Sequence, residues 1–267
     1  MLDILYRDDQ LIAIDKPAGL LVHRSDIDRH ETRFAVQLLR DQIGRRVQPV
    51  HRLDKGTSGV LLFAFDAEVA REMGRQFEGG EVDKTYLAVV RGWPAESGVI
   101  DHALTRKHDD YGRKLPAATA QQALTHYRRR ATIELPVAID RYPNSRYALV
   151  ELKPLTGRYH QLRRHLKHIS HPIIGDATHG KGLHNRFFQR EFGCHRLLLA
   201  CIGMIFRHPV NGARIAIDGN LLRHRAKVGA GGMKCPVAGT AGTAPDQFVA
   251  LLDRFDWSQA IAPCPAA

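Results

Sequence analysis

Apolar runs of strand length recur along the first 207 residues and constrain the fold most. Besides a hairpin pattern at 4–6 and 11–14 around the turn 7–10, such runs lie at 60–65, 84–90, 125–133, 147–152 and 196–207. Helical spacing is found at 32–43, 67–77 and 160–168. Because strands and helices do not alternate as regular βαβ units, this order predicts an α+β domain with a mixed, largely antiparallel sheet flanked by helices and loops.

A change in composition predicts where this domain ends. Residues 229–245 read GAGGMKCPVAGTAGTAP, which has few bulky apolar residues and is typical of a linker. We therefore expect one catalytic domain over 1–225, and a linker with a short tail over 226–267. Helical spacing at 246–257 predicts a short helix in this tail. Residues 98–120 are polar and charged, which predicts a long loop or insertion.

The charge balance restricts the class of partner. A formal net charge of +11 favours a polyanion such as RNA, DNA or anionic lipid over a neutral metabolite. No apolar run approaches the roughly 20 residues of a membrane span, and the N-terminus lacks the apolar core of a signal peptide, so we expect a cytoplasmic protein that binds no membrane. The four cysteines form no CxxC pair, which leaves a zinc or disulfide framework without support.

Asp54 is the first candidate for chemistry. It lies between Arg52 and Lys55 and is followed by the turn residues 56–59. Neighbouring cations favour an ionised carboxylate, which can act as a nucleophile. An ordinary surface ion pair explains a lone RLDK equally simply. On a basic surface, however, cations can attract phosphates while a single carboxylate meets the base or sugar.

A second polar cluster occupies the basic segment 157–166. Arg158 and Arg163 can bind phosphate, or one of them can orient the Asp54 carboxylate; a solvated helix face is the alternative. The histidines at 160, 165, 168 and 171 do not form a metalloenzyme motif, because helical spacing puts only His165 and His168 on one face. We therefore expect no metal site.

Tyr86 begins an apolar strand and fits either of two roles. It can be a core aromatic, or it can stack on a pyrimidine and take part in proton transfer. The leucines at 197–199 most simply belong to the core, although Leu198 is also predicted to contact the substrate.

Five ordered motifs together resemble the RluA-type pseudouridine synthases over most of residues 1–224. They are IDKPAG at 14–19, HRLDKGTSG at 51–59, KTY at 84–86, TGRYHQLRRHL at 156–166 and HPIIGD at 171–176. The resemblance implies a pseudouridine synthase fold and an enzyme that isomerises uridine in RNA. HRLDxxTSG is the strongest of the motifs, whereas KxY or HPIIGD alone would be weak.

The resemblance also implies roles for individual residues. Asp54 would be the catalytic aspartate, Tyr86 the aromatic residue packed on the target base, and Arg163 the partner of the aspartate. Arg52 would enter the RNA stack in place of a flipped nucleotide. With Arg158, His160 and Leu198 it completes the predicted substrate-binding set.

The expected reaction breaks the bond from N1 to C1′, rotates the uracil and rejoins it through C5. Asp54 would attack C6, attack C1′ or assist formation of a glycal, and Tyr86 is one candidate for the base that removes the C5 proton. Because nothing enters or leaves overall, no cofactor or metal is implied.

The segment 125–166 resembles the branch of the family that modifies uridine 65 of transfer RNA. We therefore expect tRNA as the partner of a monomer with no protein partner. The same chemistry on ribosomal RNA, and a non-catalytic RNA-binding protein with this fold, are the alternatives.

Overall fold

The fold is described from a computed structural model over residues 1–24, 30–105, 120–223 and 246–261. Its strands are β1 (Asp3–Arg7), β2 (Leu11–Lys16), β3 (Gln48–Pro49), β4 (Ser58–Ala64), β5 (Asp83–Arg91), β6 (Ser97–Asp101), β7 (Leu104–Thr105), β8 (Ala120–Gln121), β9 (Leu124–Leu135), β10 (Ser145–Pro154), β11 (Leu199–Arg207) and β12 (Arg214–Asp218). Its helices are α1 (Ala35–Ile43), α2 (Ala67–Gly79), α3 (Gln161–His168), α4 (Gly182–Phe192) and α5 (Gln247–Arg254), followed by a 3-10 turn at Ser258–Ala260.

Ten of these strands form one sheet in the order β1-β2-β4-β11-β5-β10-β9-β6, with β12 paired to β11 and β3 paired to β4. Strand β4 pairs parallel with β11, whereas the other pairs of this sheet are antiparallel. Strands β7 and β8 form a separate two-stranded sheet. The predicted α+β fold with a mixed, largely antiparallel sheet is confirmed.

The central strands are buried on both faces of the sheet. Successive side chains of a strand point to opposite faces. Along β5, Tyr86 and Ala88 belong to one core cluster, whereas Leu87 and Val89 belong to the other. Helices α1, α2 and α3 contribute to the first cluster, and α4 and α5 contribute to the second. The sheet therefore separates two cores, which explains its long apolar strands.

The C-terminal helix predicted at 246–257 is present as α5. Phe248, Leu251 and Leu252 of this helix, with Trp257 and Ile261 beyond it, are almost fully buried in the second core cluster. The predicted domain boundary near Arg225 lies outside the described residues and stays a prediction. The described part of the tail packs on the same core as the strands.

Two further differences separate the structure from the sequence prediction. Residues 97–101 form β6 on β9, where a long loop was predicted from residue 98 onward, because Ile100 packs into the first core while Val99 and Asp101 beside it are exposed. Residues 106–119 of that predicted loop lie outside the described residues. Helix α4 and strand β12 had not been predicted. Among the described residues, no helix is both long and apolar enough to cross a bilayer.

Candidate active site

A cavity of about 720 Å³ opens on the first-core side of the sheet. The loop before β4, the start of β5 and the turn leading into α3 provide most of its walls, and α2 closes one side. Its charged and aromatic lining includes Asp54, Glu78, Tyr86, Tyr159 and four cations: Arg52, Lys84, Arg158 and Arg163. Two separate sequence motifs, at 51–59 and 156–166, thus meet at one cavity.

Asp54 is fixed by its own loop. The amide of Thr57 donates to the Asp54 carbonyl at 3.0 Å, and the amide of Gly19 donates to the Lys55 carbonyl at 2.8 Å. The Asp54 side chain is 28% exposed and lines the cavity. A rigid loop therefore presents a carboxylate to any molecule that enters.

Arg163 connects Asp54 to a second, deeply buried acid. Its Nη1 donates to Asp54 Oδ2 at 3.1 Å, while its Nε and Nη2 donate to the two oxygens of Asp176 at 2.7 and 2.8 Å. The Asp176 side chain is fully buried, and its Oδ1 also accepts the amides of Thr178 and His179, each at 2.9 Å. This fork fixes the plane of the guanidinium and hence the position of the Asp54 carboxylate.

Arg163 and Asp176 stabilise each other in their charged forms. Hydrogen bonds from Arg163 and from the amides of its turn hold the pKa of the Asp176 carboxyl below its usual value against the effect of burial. The pKa of Arg163 is raised by Asp176 and Asp54 despite burial. Arg163 is therefore a permanent cation beside Asp54.

His160 approaches the same oxygen of Asp54 that Arg163 binds. Its Nε2 is 3.7 Å from Asp54 Oδ2, and its Nδ1 is 3.1 Å from His179 Nε2. Burial lowers the pKa of His160 to about 4, although Asp54 opposes this shift, so the imidazole is neutral at pH 7. Its ring stacks on Tyr159 at 3.8 Å between centroids. His160 is thus a neutral polar group in an aromatic wall.

Tyr86 faces the cavity from the start of β5. Its side chain is 9% exposed, and burial, Cys201 and Asp54 raise the pKa of the phenol well above its usual value. The phenol hydrogen-bonds with the thiol of Cys201 on the neighbouring strand. Because a phenol with such a pKa stays protonated, Tyr86 is suited to packing and poorly suited to removing a proton as a phenolate.

The remaining predicted site residues divide into two groups. Arg52 and Arg158 are exposed and line the cavity, and Arg158 Nε donates to the Gln122 carbonyl at 3.0 Å. Leu198 does not line it: this side chain is fully buried in the second core, on the far face of the sheet, whereas Leu199 lines the cavity. The predicted contact of Leu198 with a substrate in this cavity is therefore wrong, because Leu198 and Leu199 face opposite sides of the sheet.

The structure adds two residues that sequence reasoning had not placed at the site, Asp176 and Lys16. Asp176 is the last residue of the HPIIGD motif, but the motif alone does not predict the contact with Arg163. Lys16 is fully buried, and its Nζ donates to the carbonyls of Pro17, Leu20 and Lys55 at 2.9, 2.7 and 3.3 Å. It joins the loop after β2 to the Asp54 loop.

Two glycines allow backbone segments to touch beneath the site. A Cβ at Gly59, whose φ is +105°, would lie 2.0 Å from the Cys201 carbonyl oxygen, and one at Gly175, whose φ is +80°, would lie 1.9 Å from that of Arg196. Both positions combine a left-handed backbone with a close approach that only glycine permits. The loops that carry Asp54 and Asp176 are therefore pressed against the same stretch of chain, at or just before β11.

Two of the histidines in the basic segment, His165 and His168, contact protein groups. His165 Nδ1 is 3.0 Å from Thr125 Oγ1 and its Nε2 is 3.0 Å from the His102 carbonyl, while His168 stacks on the His102 ring. Within the described ranges, no group of three or more metal-ligating side chains is assembled.

The resemblance implied that Arg163 pairs with Asp54, and the structure brings these two side chains together at a basic cavity on a mixed sheet. The chain belongs to the RNA pseudouridylate synthase family, whose model matches residues 10–168; its RluA-type character is likewise confirmed.

Individual relatives make this assignment more specific. The chain is 52% identical over 220 residues to a protein of Pectobacterium carotovorum subsp. carotovorum named tRNA pseudouridine synthase C, a match covering 82% of this chain and 58% of that protein. It is 50% identical over 219 residues to a protein of the same name from Vibrio vulnificus (strain CMCP6), covering 81% and 89%. The solved structure of human RNA pseudouridylate synthase domain containing 1 is similar with a TM-score of 0.61 and 26% identity, covering 82% of each chain.

Proposed function

We propose that this protein converts a uridine of transfer RNA to pseudouridine, with Asp54 as the catalytic carboxylate. The observation that carries the proposal is the chain of contacts from Asp176 through Arg163 to Asp54 at the base of the cavity. The relatives named tRNA pseudouridine synthase C, about half identical over about four-fifths of the chain, support tRNA as the substrate.

The carboxylate has to be ionised in each of the three routes, whether it attacks C6, attacks C1′ or assists a glycal. Arg163 supplies a fixed positive charge 3.1 Å from one carboxylate oxygen, which fixes the direction of the carboxylate. In the overall reaction the bond from N1 to C1′ breaks, the bond from C5 to C1′ forms, and a proton moves from C5 to N1. No electrons or atoms need to be supplied from outside.

A uridine inside a duplex does not present its glycosidic bond to Asp54, so we propose that the target nucleotide is flipped into the cavity. Arg52, which is exposed at the cavity two residues before Asp54, would occupy the vacated stack. The flipped uracil would pack on Tyr86, whose protonated phenol can donate a hydrogen bond. Exposed Arg158 at the rim would contact phosphate, and neutral His160 would contact the base or ribose.

We assign position 65 as the target on the strength of the resemblance of residues 125–166 to the branch that modifies that position. A monomer acting in the cytoplasm completes the proposal, and gel filtration tests the monomer. The net charge of +11 supports binding of the RNA by the protein's own surface.

Tritium release from C5-labelled uridine in unmodified tRNA tests the function. The wild type is expected to release tritium and Asp54→Ala to release none, while both bind tRNA with similar affinity because affinity rests on many phosphate contacts. If the wild type releases no tritium, the proposed enzymatic activity is refuted and the non-catalytic RNA-binding protein is favoured. Mapping of pseudouridine in a deletion strain tests the target: loss confined to ribosomal RNA refutes tRNA as substrate.

A further inference from the structure

The described tail, residues 246–261, lies beyond the part of the sequence that resembles the family, yet it contacts the chain directly behind the active site. Asp246 Oδ2 is 2.5 Å from Arg196 Nη1, and the amide of His195 donates to Gln247 Oε1 at 2.9 Å. Arg130 Nε also donates to the Ala260 carbonyl at 2.9 Å. The tail is thus attached at both ends by polar bonds as well as by its buried side chains.

Arg196 connects the tail to the loop that carries Asp54. Its Nη2 donates to Ser58 Oγ at 2.6 Å, and its Nε donates to the Leu197 carbonyl at 3.1 Å. The Arg196 side chain is 9% exposed, and Ser58 is buried. Gly56, two residues from Asp54, lies directly on the Leu197 side chain: a Cβ there would be 3.1 Å from that of Leu197.

Arg196 and Leu197 also lie against the Asp176 turn: a Cβ at Gly175 would be 1.9 Å from the Arg196 carbonyl oxygen and 3.0 Å from Leu197 Cα. The amide of the next residue, Leu198, donates to the Ile174 carbonyl at 3.0 Å. Arg196 and Leu197 are therefore wedged between the loop carrying Asp54 and the turn carrying Asp176. These are the two acids that share Arg163.

We propose that Asp246 of the C-terminal segment is a positioning residue: it orients Arg196, which sets the Asp54 loop against the Asp176 turn. Asp246 also caps α5, since its Oδ1 accepts the Phe248 amide at 2.7 Å, so one carboxylate joins the start of the helix to Arg196. Without the charge of Asp246, the largely buried guanidinium of Arg196 loses its carboxylate partner, and its hydrogen bond to Ser58 weakens. The tail is then a working part of the catalytic unit.

The matched pair of variants is Asp246→Asn and Asp66→Asn in the full-length protein. Both acids cap a helix, Asp66 at α2 through the Val69 amide at 2.9 Å, and asparagine caps as well as aspartate. Only Asp246→Asn also removes the ion pair with Arg196. Hydrogen–deuterium exchange is followed at the amides of Thr57 and His179, which report on the two loops without requiring activity.

Asp246→Asn is expected to speed exchange at both amides, whereas Asp66→Asn leaves both unchanged. Faster exchange confined to 246–261 overturns the proposal, because the tail would then be attached without acting on the site. The exchange measurement tests the proposal even if the protein proves inactive on tRNA.

The second arm rests on the proposed function and measures turnover. Asp246→Asn is expected to lower kcat about fivefold, equivalent to roughly 1 kcal/mol of barrier, with the KM for tRNA unchanged. Ser58→Ala is expected to act in the same direction, and combining it with Asp246→Asn to add little, because both break one chain of contacts. Unchanged kcat, a rise in KM alone or fully additive losses overturn the proposal, whereas an inactive wild type overturns the proposed function instead.

Discussion

Replacement of Asp176 by asparagine tests the geometry of the site most directly, because Asp176 lines no part of the cavity. Its Oδ1 accepts three N–H groups, from Arg163, Thr178 and His179, so this oxygen is expected to stay a carbonyl oxygen in the variant. The new amide nitrogen then replaces Oδ2, 2.7 Å from Arg163 Nε, and two donors face each other.

The size of the effect follows from burial. The Asp176 side chain is fully buried and that of Arg163 is 10% exposed. The variant therefore leaves a buried cation with only one of its two hydrogen bonds to residue 176. Breaking a buried pair by removing one partner costs roughly 3–5 kcal/mol, which for a chain of this size lowers Tm by roughly 2–4 °C per kcal/mol. Because Arg163 also positions Asp54, turnover is expected to fall about 100-fold, the usual effect of a displacement near 1 Å.

Urea unfolding at pH 7 and tritium release from tRNA measure the two effects. Asp140→Asn is the control, since Asp140 pairs with Arg91 at 3.4 Å and is 34% exposed, so its loss is expected to cost under about 1 kcal/mol. If Asp176→Asn matches this control in stability and turnover, the fork does not hold the site together, and the reasoning from Arg163 to Asp54 fails.

Three further outcomes are expected at the site and in the core. Arg163→Ala reduces tritium release by at least about 100-fold, whereas Arg158→Ala mainly raises the KM for tRNA and lowers its salt dependence; equal effects on kcat would make Arg163 ordinary surface charge. Tyr86→Phe keeps most activity because the ring still packs on the base, and Tyr86→Ala loses it; an inactive phenylalanine variant would instead assign the hydroxyl a chemical step. The free energy of unfolding falls as the pH drops from 6.5 towards 4, because the fold lowers the pKa of His160 to about 4 and of His51 to about 3, so the unfolded chain binds more protons. The fall is expected to be on the order of 2 kcal/mol smaller in His160→Gln, and a pH-independent stability would contradict the neutral state of these rings.

Local sequence patterns were sufficient to predict most of the sheet. Apolar runs of strand length located β1, β2, β5, β9 and β10 to within a few residues. Strands β2, β5 and β10 gave the clearest runs because they bury side chains on both faces of the sheet. Helix α4 was not predicted because one position of its buried stripe is a histidine, His184, and the adjacent Leu183 is exposed. Strand β12 is short and half exposed, so it carries little alternation.

Motifs predicted the chemistry better than they predicted the supporting contacts. Asp54, Tyr86 and Arg163 each lie in a recognisable motif and meet at the cavity as expected. Asp176 acts through Arg163 on the helix before it, and Lys16 acts partly through the carbonyl of Lys55 in another loop; both contacts depend on how separate elements pack, which no spacing rule encodes. Leu198 was misplaced because alternation fixes the period of a strand but not which residues face the cavity.

The glycine contacts at positions 59 and 175 also bear on how such an enzyme can evolve. Any side chain at either position would push a backbone segment away from Arg196 or Cys201 and so separate the loops that define the catalytic group. Substitutions at these two positions are therefore expected to be removed by selection. A change of RNA target has to begin at the rim, where Arg158 and Tyr159 are exposed, and libraries directed at new specificity are best confined to that rim.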